Sequence, residues 1–368
     1  MNFVERALYL RDDSDIKGFF LNIDVQCDVS RVKSWITAAV RHNVQNLHIR
    51  LQDLEGQFSL PQSVFTCDTL KCLVLDIPCI LQVPPINCLS NLIVLRLESV
   101  TFSDDYTTQQ LFSGLPILEV LYLMECRWGC LKVLRISAPK LHSLTITEAD
   151  LWKLSDCDGL SDCDDHRDFE GCRIMIFGAN IKCFFYTGEF LNEYWTRQVA
   201  YRMLKVLIGI ANVKDLRLYH FADEVLTYAP ELLPTIPIFN NLMYLKLEWG
   251  NLDSGALLKI LQNSPNLERL KFSEEIDECS DYNKDDILLD PMPPCFLSTL
   301  ECIEVGNYDG FENELAAVKI LLKNAMALDE MVITFKECDA GNFEMQEKLY
   351  KQLIEFAIGS QNCKIILK

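Results

Sequence analysis

The side chains best suited to chemistry crowd into one stretch, SDCDGLSDCDDHRDFEGC at 155–172, where Cys157, Cys163, His166 and Cys172 stand among seven acidic residues. Thiolate, imidazole and carboxylate are the donors that hold zinc or calcium. The spacing suits neither ion: zinc sites use paired C-x-x-C or the His equivalent, and an EF-hand places acids at positions 1, 3 and 5 before a glycine. A solvated acidic loop, with no metal and no cofactor, is the expectation. The five histidines, at 42, 48, 142, 166 and 220, lie apart in sequence. There is no Gly-x-Ser-x-Gly, no His-Glu-x-x-His and no phosphate-binding glycine loop. The expectation is therefore a chain that is not an enzyme and has no catalytic residue.

That leaves binding, and composition narrows the partner. The chain has 368 residues, 49% of them hydrophobic and 24% charged, which is globular but long for one compact domain. A net charge of -19 argues against nucleic acid and anionic membrane, because phosphate contact needs clustered Lys and Arg. No apolar run approaches a membrane span, and the charged start MNFVERALYLRDDSD lacks the apolar centre of a signal peptide. The sixteen cysteines are scattered through apolar segments such as KCLVL and NCKII. They are expected to be free thiols acting as small hydrophobes in a reducing compartment, the cytoplasm or nucleus.

The elements that would carry a binding surface are set by a repeat. Pro-x-Leu-x-x-Leu-x-apolar occurs as PILEVLYL at 116–123, PKLHSLTI at 139–146 and PNLERLKF at 265–272. SNLIVLRL, NNLMYLKL and STLECIEV are close variants, and IKGFFL, VQNLHI, LKCLVL, LKVLRI, IKCFFY, VKDLRL and LDEMVI share the spacing more loosely. The first leucine enters the core from a turn and the last two point inward from a short strand, as in a leucine-rich repeat. Leu73, Leu95 and Leu121 are 22 and 26 residues apart, a repeat period, whereas Leu134 to Leu144 is only 10 and Leu144 to Phe184 is 40. A degenerate solenoid follows, with the 155–172 segment as an insertion in the longest interval. Helices are expected in VSRVKSWITAAVRHN, capped by Ser30, in DDYTTQQLFSGL and in DSGALLKILQNSP. The asparagine usual at the ninth repeat position is replaced by Val100 and Cys126, which favours helices over an asparagine ladder in the outer layer.

From Pro291 the pattern becomes strand-helix-strand-helix-strand. One helix is expected to bury Phe311, Leu315, Val318, Leu322 and Ala325, and a second, with Met345, Leu349, Leu353 and Phe356, to end at a Gly359 cap before the strand CKIIL. The domains are thus expected at 1–290, a repeat solenoid, and 291–368, a unit closing its open end. The fold class is α/β: a curved parallel sheet with convex helices and a C-terminal α/β cap.

Several stretches carry a resemblance at this point. They are FVERALYLRDDSDIKGFFL, CDVSRVKSWITAAVRHNVQNLHIRL, SLPQSVFTCDTLKCLVL and CLSNLIVLRLESVTFSDDYTTQQLFSGLPILEVL, with CFLSTLECIEVGNYDGFENELAAVKILLKNAMALDEMVITF and GSQNCKIIL near the C-terminus. Together they make the chain similar to the plant F-box proteins that carry leucine-rich repeats and a C-terminal FBD domain. The resemblance implies a non-enzymatic scaffold whose repeats recruit a protein substrate to an SCF-type ubiquitin ligase. In such proteins an F-box binds the adaptor Skp1. No F-box pattern precedes Phe3, so Skp1 binding is expected only where an F-box lies upstream. The other readings are an F-box-less decoy or structural binder and, more remotely, a small-molecule receptor.

A partner is expected on the concave sheet, where residues flanking the inward pair project. These include Arg96, Glu98, Tyr122, Arg217, Tyr219, Tyr244, Lys246, Arg269 and Lys271. Arg and Tyr are favoured interface anchors. Arg217 to Lys271 is expected to take an acidic or mixed-charge protein segment.

Overall fold

A computed structural model describes residues 3–9, 14–23, 28–51, 58–84, 89–102, 104–127, 131, 133–147, 173–177, 181–187, 193–218, 226, 229–252, 254–277, 289, 291–336, 343–354 and 359–368. The chain divides into two compact units, Met1–Ile181 and Lys182–Lys368.

The first unit contains, in chain order, α1 (Phe3–Tyr9), β1 (Gly18–Ile23), α2 (Val29–Arg41), β2 (Asn46–Leu51), β3 (Cys72–Asp76), β4 (Ile80–Leu81) and β5 (Val94–Glu98). It continues through β6 (Thr101–Phe102), α3 (Asp105–Ser113), β7 (Val120–Met124), β8 (Val133–Ser137), β9 (Ser143–Thr147) and β10 (Arg173–Phe177). Its main sheet runs β1-β2-β3-β5-β7-β9, every described pairing parallel. Leu47, Leu73, Leu95, Leu121 and Leu144 share one register row and are fully or almost fully buried. Ile49, Leu75, Leu97, Leu123 and Ile146 form the second buried row. This is the repeat's logic in three dimensions: strand alternation sends two leucines inward from each coil, and neighbouring coils cover them.

The second unit contains β11 (Cys183–Thr187), α4 (Glu193–Gly209), β12 (Asp215–Leu218), β13 (Tyr244–Asn251), α5 (Gly255–Gln262), β14 (Arg269–Asp277) and α6 (Pro294–Ser298). After these come β15 (Cys302–Tyr308), α7 (Glu312–Asn324), β16 (Glu330–Phe335), α8 (Phe343–Ile354) and β17 (Lys364–Leu367). The strands stack in chain order and in parallel, so β15, β16 and β17 extend the repeat sheet from β14. The parallel α/β leucine-rich-repeat fold is thus present in both units. Among the described residues no helix is long and apolar enough to cross a membrane.

The structure revises three local expectations. LKVLRI does not join the main sheet: β7 pairs directly with β9, and β8 pairs with β10 in a separate ribbon. The short Leu134–Leu144 interval therefore disappears, because Leu134 belongs to a return segment. Leu134 and Ile136 are buried in the same alternation as a main-sheet strand, so periodicity could not tell the two layers apart. A similar return ribbon joins β4 to β6.

The second revision is at the start of α2, whose N-cap is Asp28, not Ser30. The Asp28 carboxylate accepts from the Ser30 N–H at 2.8 Å. Val32, Trp35, Ile36 and Ala39 form the buried stripe. Asp104 caps α3 and Ser254 caps α5.

Third, α7 is turned relative to the expected face. Phe311 is its N-cap residue and 62% exposed, while Glu314, Ala317, Val318, Leu321 and Leu322 are buried. Glu314 points in because its carboxylate accepts the N–H of Phe311 at 2.9 Å and of Asp309 at 3.1 Å, pinning the turn that enters the helix. Burial pushes its carboxyl above the ordinary range, against those hydrogen bonds. We expect Glu314→Ala to cost about 1–2 kcal/mol, the loss of a cap with its buried partners left unpaired. A raised folded pKa means stability is fully present below the unfolded value and declines as pH rises through the folded one. The penalty of Glu314→Ala is therefore expected to be larger at pH 4, below the unfolded value, than at pH 8, as urea titrations at the two pH values will read. An equal penalty at both would remove Glu314 as the titrating group.

Whether Gly359 caps α8 turns on positions 355–358, which lie outside the described residues. Gly359 does make a close approach: its N–H donates to Leu322 O at 2.9 Å, and a Cβ there would lie 2.6 Å from Lys323 O. Only glycine lets the chain pass this near the end of α7.

Candidate functional site

In the second unit, outward positions at equivalent register form a row: Phe185, Arg217, Lys246, Lys271 and Glu304. Two residues earlier on each strand, a second row holds Asp215, Tyr244, Arg269 and Cys302. Both rows exist because a leucine-rich strand exposes every residue it does not bury.

Arg217 is the best-held cation of this surface. Its guanidinium makes two hydrogen bonds to the Asp215 carboxylate, at 2.8 and 2.7 Å, and lies 4.9 Å from the centre of the Phe185 ring and 5.4 Å from that of Tyr244. Two aromatic faces and a carboxylate hold it in one orientation. Lys271 donates to Glu304 at 2.6 Å, and this bond raises the lysine's pKa. Burial raises the Tyr244 phenol, so it stays a neutral donor. The patch is therefore mixed in charge, with cations already facing carboxylates. Tyr219 lies outside the described residues.

Arg96 and Tyr122 belong to the first unit, where they are register partners on β5 and β7. Arg96 bonds Glu98 at 2.7 Å and stands 5.9 Å from the Tyr122 ring centre. The same device thus occurs in both units: an arginine two residues from a carboxylate on its own strand, beside an aromatic ring on the next. The expected partner residues therefore form two groups, Arg96 with Tyr122 and Arg217 to Lys271, each on its own unit.

Sequence reasoning missed Phe20, His48, Arg50 and Asp76, which share the outward rows of β1, β2 and β3 with Arg96 and Glu98. IKGFFL and VQNLHI were recognised as repeat strands, so their outward positions could have been read off too.

Where the ninth-position asparagine would stand, Val100 and Cys126 are buried, and the Cys126 thiol lies 3.4 Å from Leu97 O. Cys67, Cys72, Cys79, Cys126, Cys183, Cys295, Cys302 and Cys363 are free thiols. Burial pushes Cys79 and Cys295 up to about 12 and Cys363 up to about 11, well away from thiolate chemistry at neutral pH. Among the described residues no cluster of three metal-ligating side chains occurs. The acidic, cysteine-rich segment at 155–172 lies outside them.

Residues 32–158 match the family model for the leucine-rich repeats of FBD-associated F-box protein At5g56370, and residues 290–333 match the FBD model. In these two stretches the chain is similar to the plant F-box/FBD/LRR-repeat proteins. Among its relatives, F-box/FBD/LRR-repeat protein At4g26340 of Arabidopsis thaliana is 25% identical over 99% of this chain and 85% of its own length. F-box/FBD/LRR-repeat protein At2g26030 of the same plant is 25% identical over 100% of this chain and 86% of its own. Putative FBD-associated F-box protein At5g50270, also from Arabidopsis, is 27% identical over 90% of this chain and 82% of its own. The FBD match covers α6, β15, α7 and the start of β16, the part where the repeat sheet continues beyond β14.

Proposed function

We propose that this chain is a protein-recruiting scaffold, the substrate-recognition part of a plant SCF-type ubiquitin ligase. Its partner docks on the outward face of the second unit, on the patch from Arg217 to Lys271. The observation that carries this is the Arg217 guanidinium held between Phe185 and Tyr244, in one register row with Lys246 and Lys271. A preorganised arginine loses little side-chain entropy when it engages a partner, and a partner carboxylate can share it or replace Asp215. Lys246 and Lys271 continue the cationic line along two further strands, and Tyr244 adds apolar area. An acidic or mixed-charge segment suits this arrangement better than a basic one.

The test begins with a partner identified by proximity labelling. The double change Arg217→Glu, Lys246→Glu is expected to weaken its binding tenfold or more in a protein that still folds, as a cooperative melting curve will show, with some loss of stability from breaking the Arg217–Asp215 pair. Unchanged affinity in a folded protein would move the site off this surface. The ligase role has its own readout: joined to an F-box that binds Skp1, the chain is expected to direct ubiquitylation of that partner, and the double change to abolish it.

A further inference from the structure

The outward face of the first unit contains a hollow of about 470 Å³ spanning β1, β2, β3 and β5. It has two halves, set by the strand register. On one row stand Phe20, His48, Val74 and Arg96, and two residues further along each strand stand Asn22, Arg50, Asp76 and Glu98.

From β1 to β3 the first row is apolar and open, and Arg96 stands at its β5 end. Phe20 is 68% exposed, an unusual state for a phenylalanine on a strand, and its ring centre lies 4.5 Å from that of His48, tilted by 47°. Burial lowers the His48 pKa, so at neutral pH the ring is uncharged and extends the apolar floor towards Val74.

Among the described residues, the second half sets three carboxylates, Asp76, Glu98 and the nearby Glu125, against two guanidiniums, Arg50 and Arg96. Asp76 and Glu98 are register partners on adjacent strands, and like charges directly opposite repel. Arg50 approaches Asp76 at 3.0 Å and Arg96 approaches Glu98 at 2.7 Å. Even so, the Asp76 carboxyl stays above its ordinary range, raised by burial and then by Glu98, with Glu125 adding to it. With three carboxylates facing two guanidiniums, the local balance is negative and a further cation is attracted here.

The two halves fix the partner's chemistry and spacing. Two residues along a strand are ~6.6 Å, and the step from the middle of the apolar row to the gap between β3 and β5 is ~7 Å across the sheet, giving ~10 Å in all. An extended peptide spans that in two or three residues, with the reach of a lysine or arginine side chain closing the difference. We propose that this hollow binds an extended protein segment in which an aromatic or large aliphatic side chain is followed, two or three residues on, by Lys or Arg. The apolar side chain lies on Phe20, His48 and Val74, and the cation enters between Asp76 and Glu98. The two units thereby prefer opposite charge, this one a basic segment and the Arg217 patch an acidic or mixed one.

The test uses the full chain and an array of synthetic octapeptides in a Gly/Ser background. Each bears one Trp, Phe or Leu and, two or three positions later, Lys, Arg, Glu or Ala. Peptides with Lys or Arg are expected to bind at least tenfold tighter than their Glu and Ala counterparts. Phe20→Ser and the pair Asp76→Asn, Glu98→Gln are each expected to remove that binding, while Arg217→Glu, Lys246→Glu leaves it intact. All these positions are on the outward face, and melting curves will confirm that each variant folds. Should Phe20→Ser fail to fold, the carboxylate pair alone decides. Glu peptides binding as well as Lys peptides, no member of the array binding, or folded variants binding like the parent would each overturn the proposal. Because the second-unit double change is a separate arm, either site can fail without the other.

Discussion

A chain ending at residue 290 is expected to aggregate or to melt without a cooperative transition. The cut removes β15, whose Ile303 and Val305 are register partners of Leu270 and Phe272 on β14, all four of them buried. It also removes α7, which packs on β14. Uncovering a buried leucine or phenylalanine costs ~1.5–3 kcal/mol, so a handful of such losses matches the ~5–15 kcal/mol that holds a typical domain together. The backbone adds a second hazard: β14 becomes a sheet edge with a row of unpaired amides and carbonyls, ready to pair with another molecule. Size-exclusion chromatography and calorimetry will read both effects. A monodisperse 1–290 fragment with one sharp transition would make residues 291–368 an independent appendage instead of the capping unit proposed here.

Leu121→Ala is expected to cost about 2–5 kcal/mol. Leu121 is fully buried in the register row between Leu95 and Leu144, so truncating it opens a cavity that the strands on either side cannot collapse to fill. The neighbouring change Tyr122→Ala on the outward face is the control, expected to lose ~1 kcal/mol or less because its main contact is the Arg96 guanidinium. Urea denaturation of the two variants compares them directly. Equal losses would mean that the two faces of β7 are packed alike, against the repeat reading.

The spacing of leucines determined most of the architecture by itself. A coil that sends two side chains inward from each strand cannot be stable alone, so the pattern in PILEVLYL or PNLERLKF already implies stacked neighbours and a parallel sheet. Outward positions follow from the same alternation, which is why Arg96, Tyr122, Arg217, Tyr244, Lys246, Arg269 and Lys271 could be named before any coordinates. The resemblance to repeat-and-FBD proteins rested on residues equally visible in the chain.

Tertiary structure decided what a periodic pattern leaves degenerate. LKVLRI alternates like a main-sheet strand, and only the β7–β9 pairing sends it to the second layer. Glu314 turns inward through a local cap, its carboxylate accepting the amides of Asp309 and Phe311, which hydrophobic counting does not register. Gly359 is required by a helix end that lies about thirty-five residues earlier in the chain. Strand register decided most about function. Residues on different repeats become neighbours through backbone pairing, so the placement of Phe185 and Tyr244 about Arg217, or of Asp76 against Glu98, depends on which residues face each other across strands. Alternation fixes the side of the sheet on which a residue lies; pairing register, set by packing along the whole stack, fixes its neighbours.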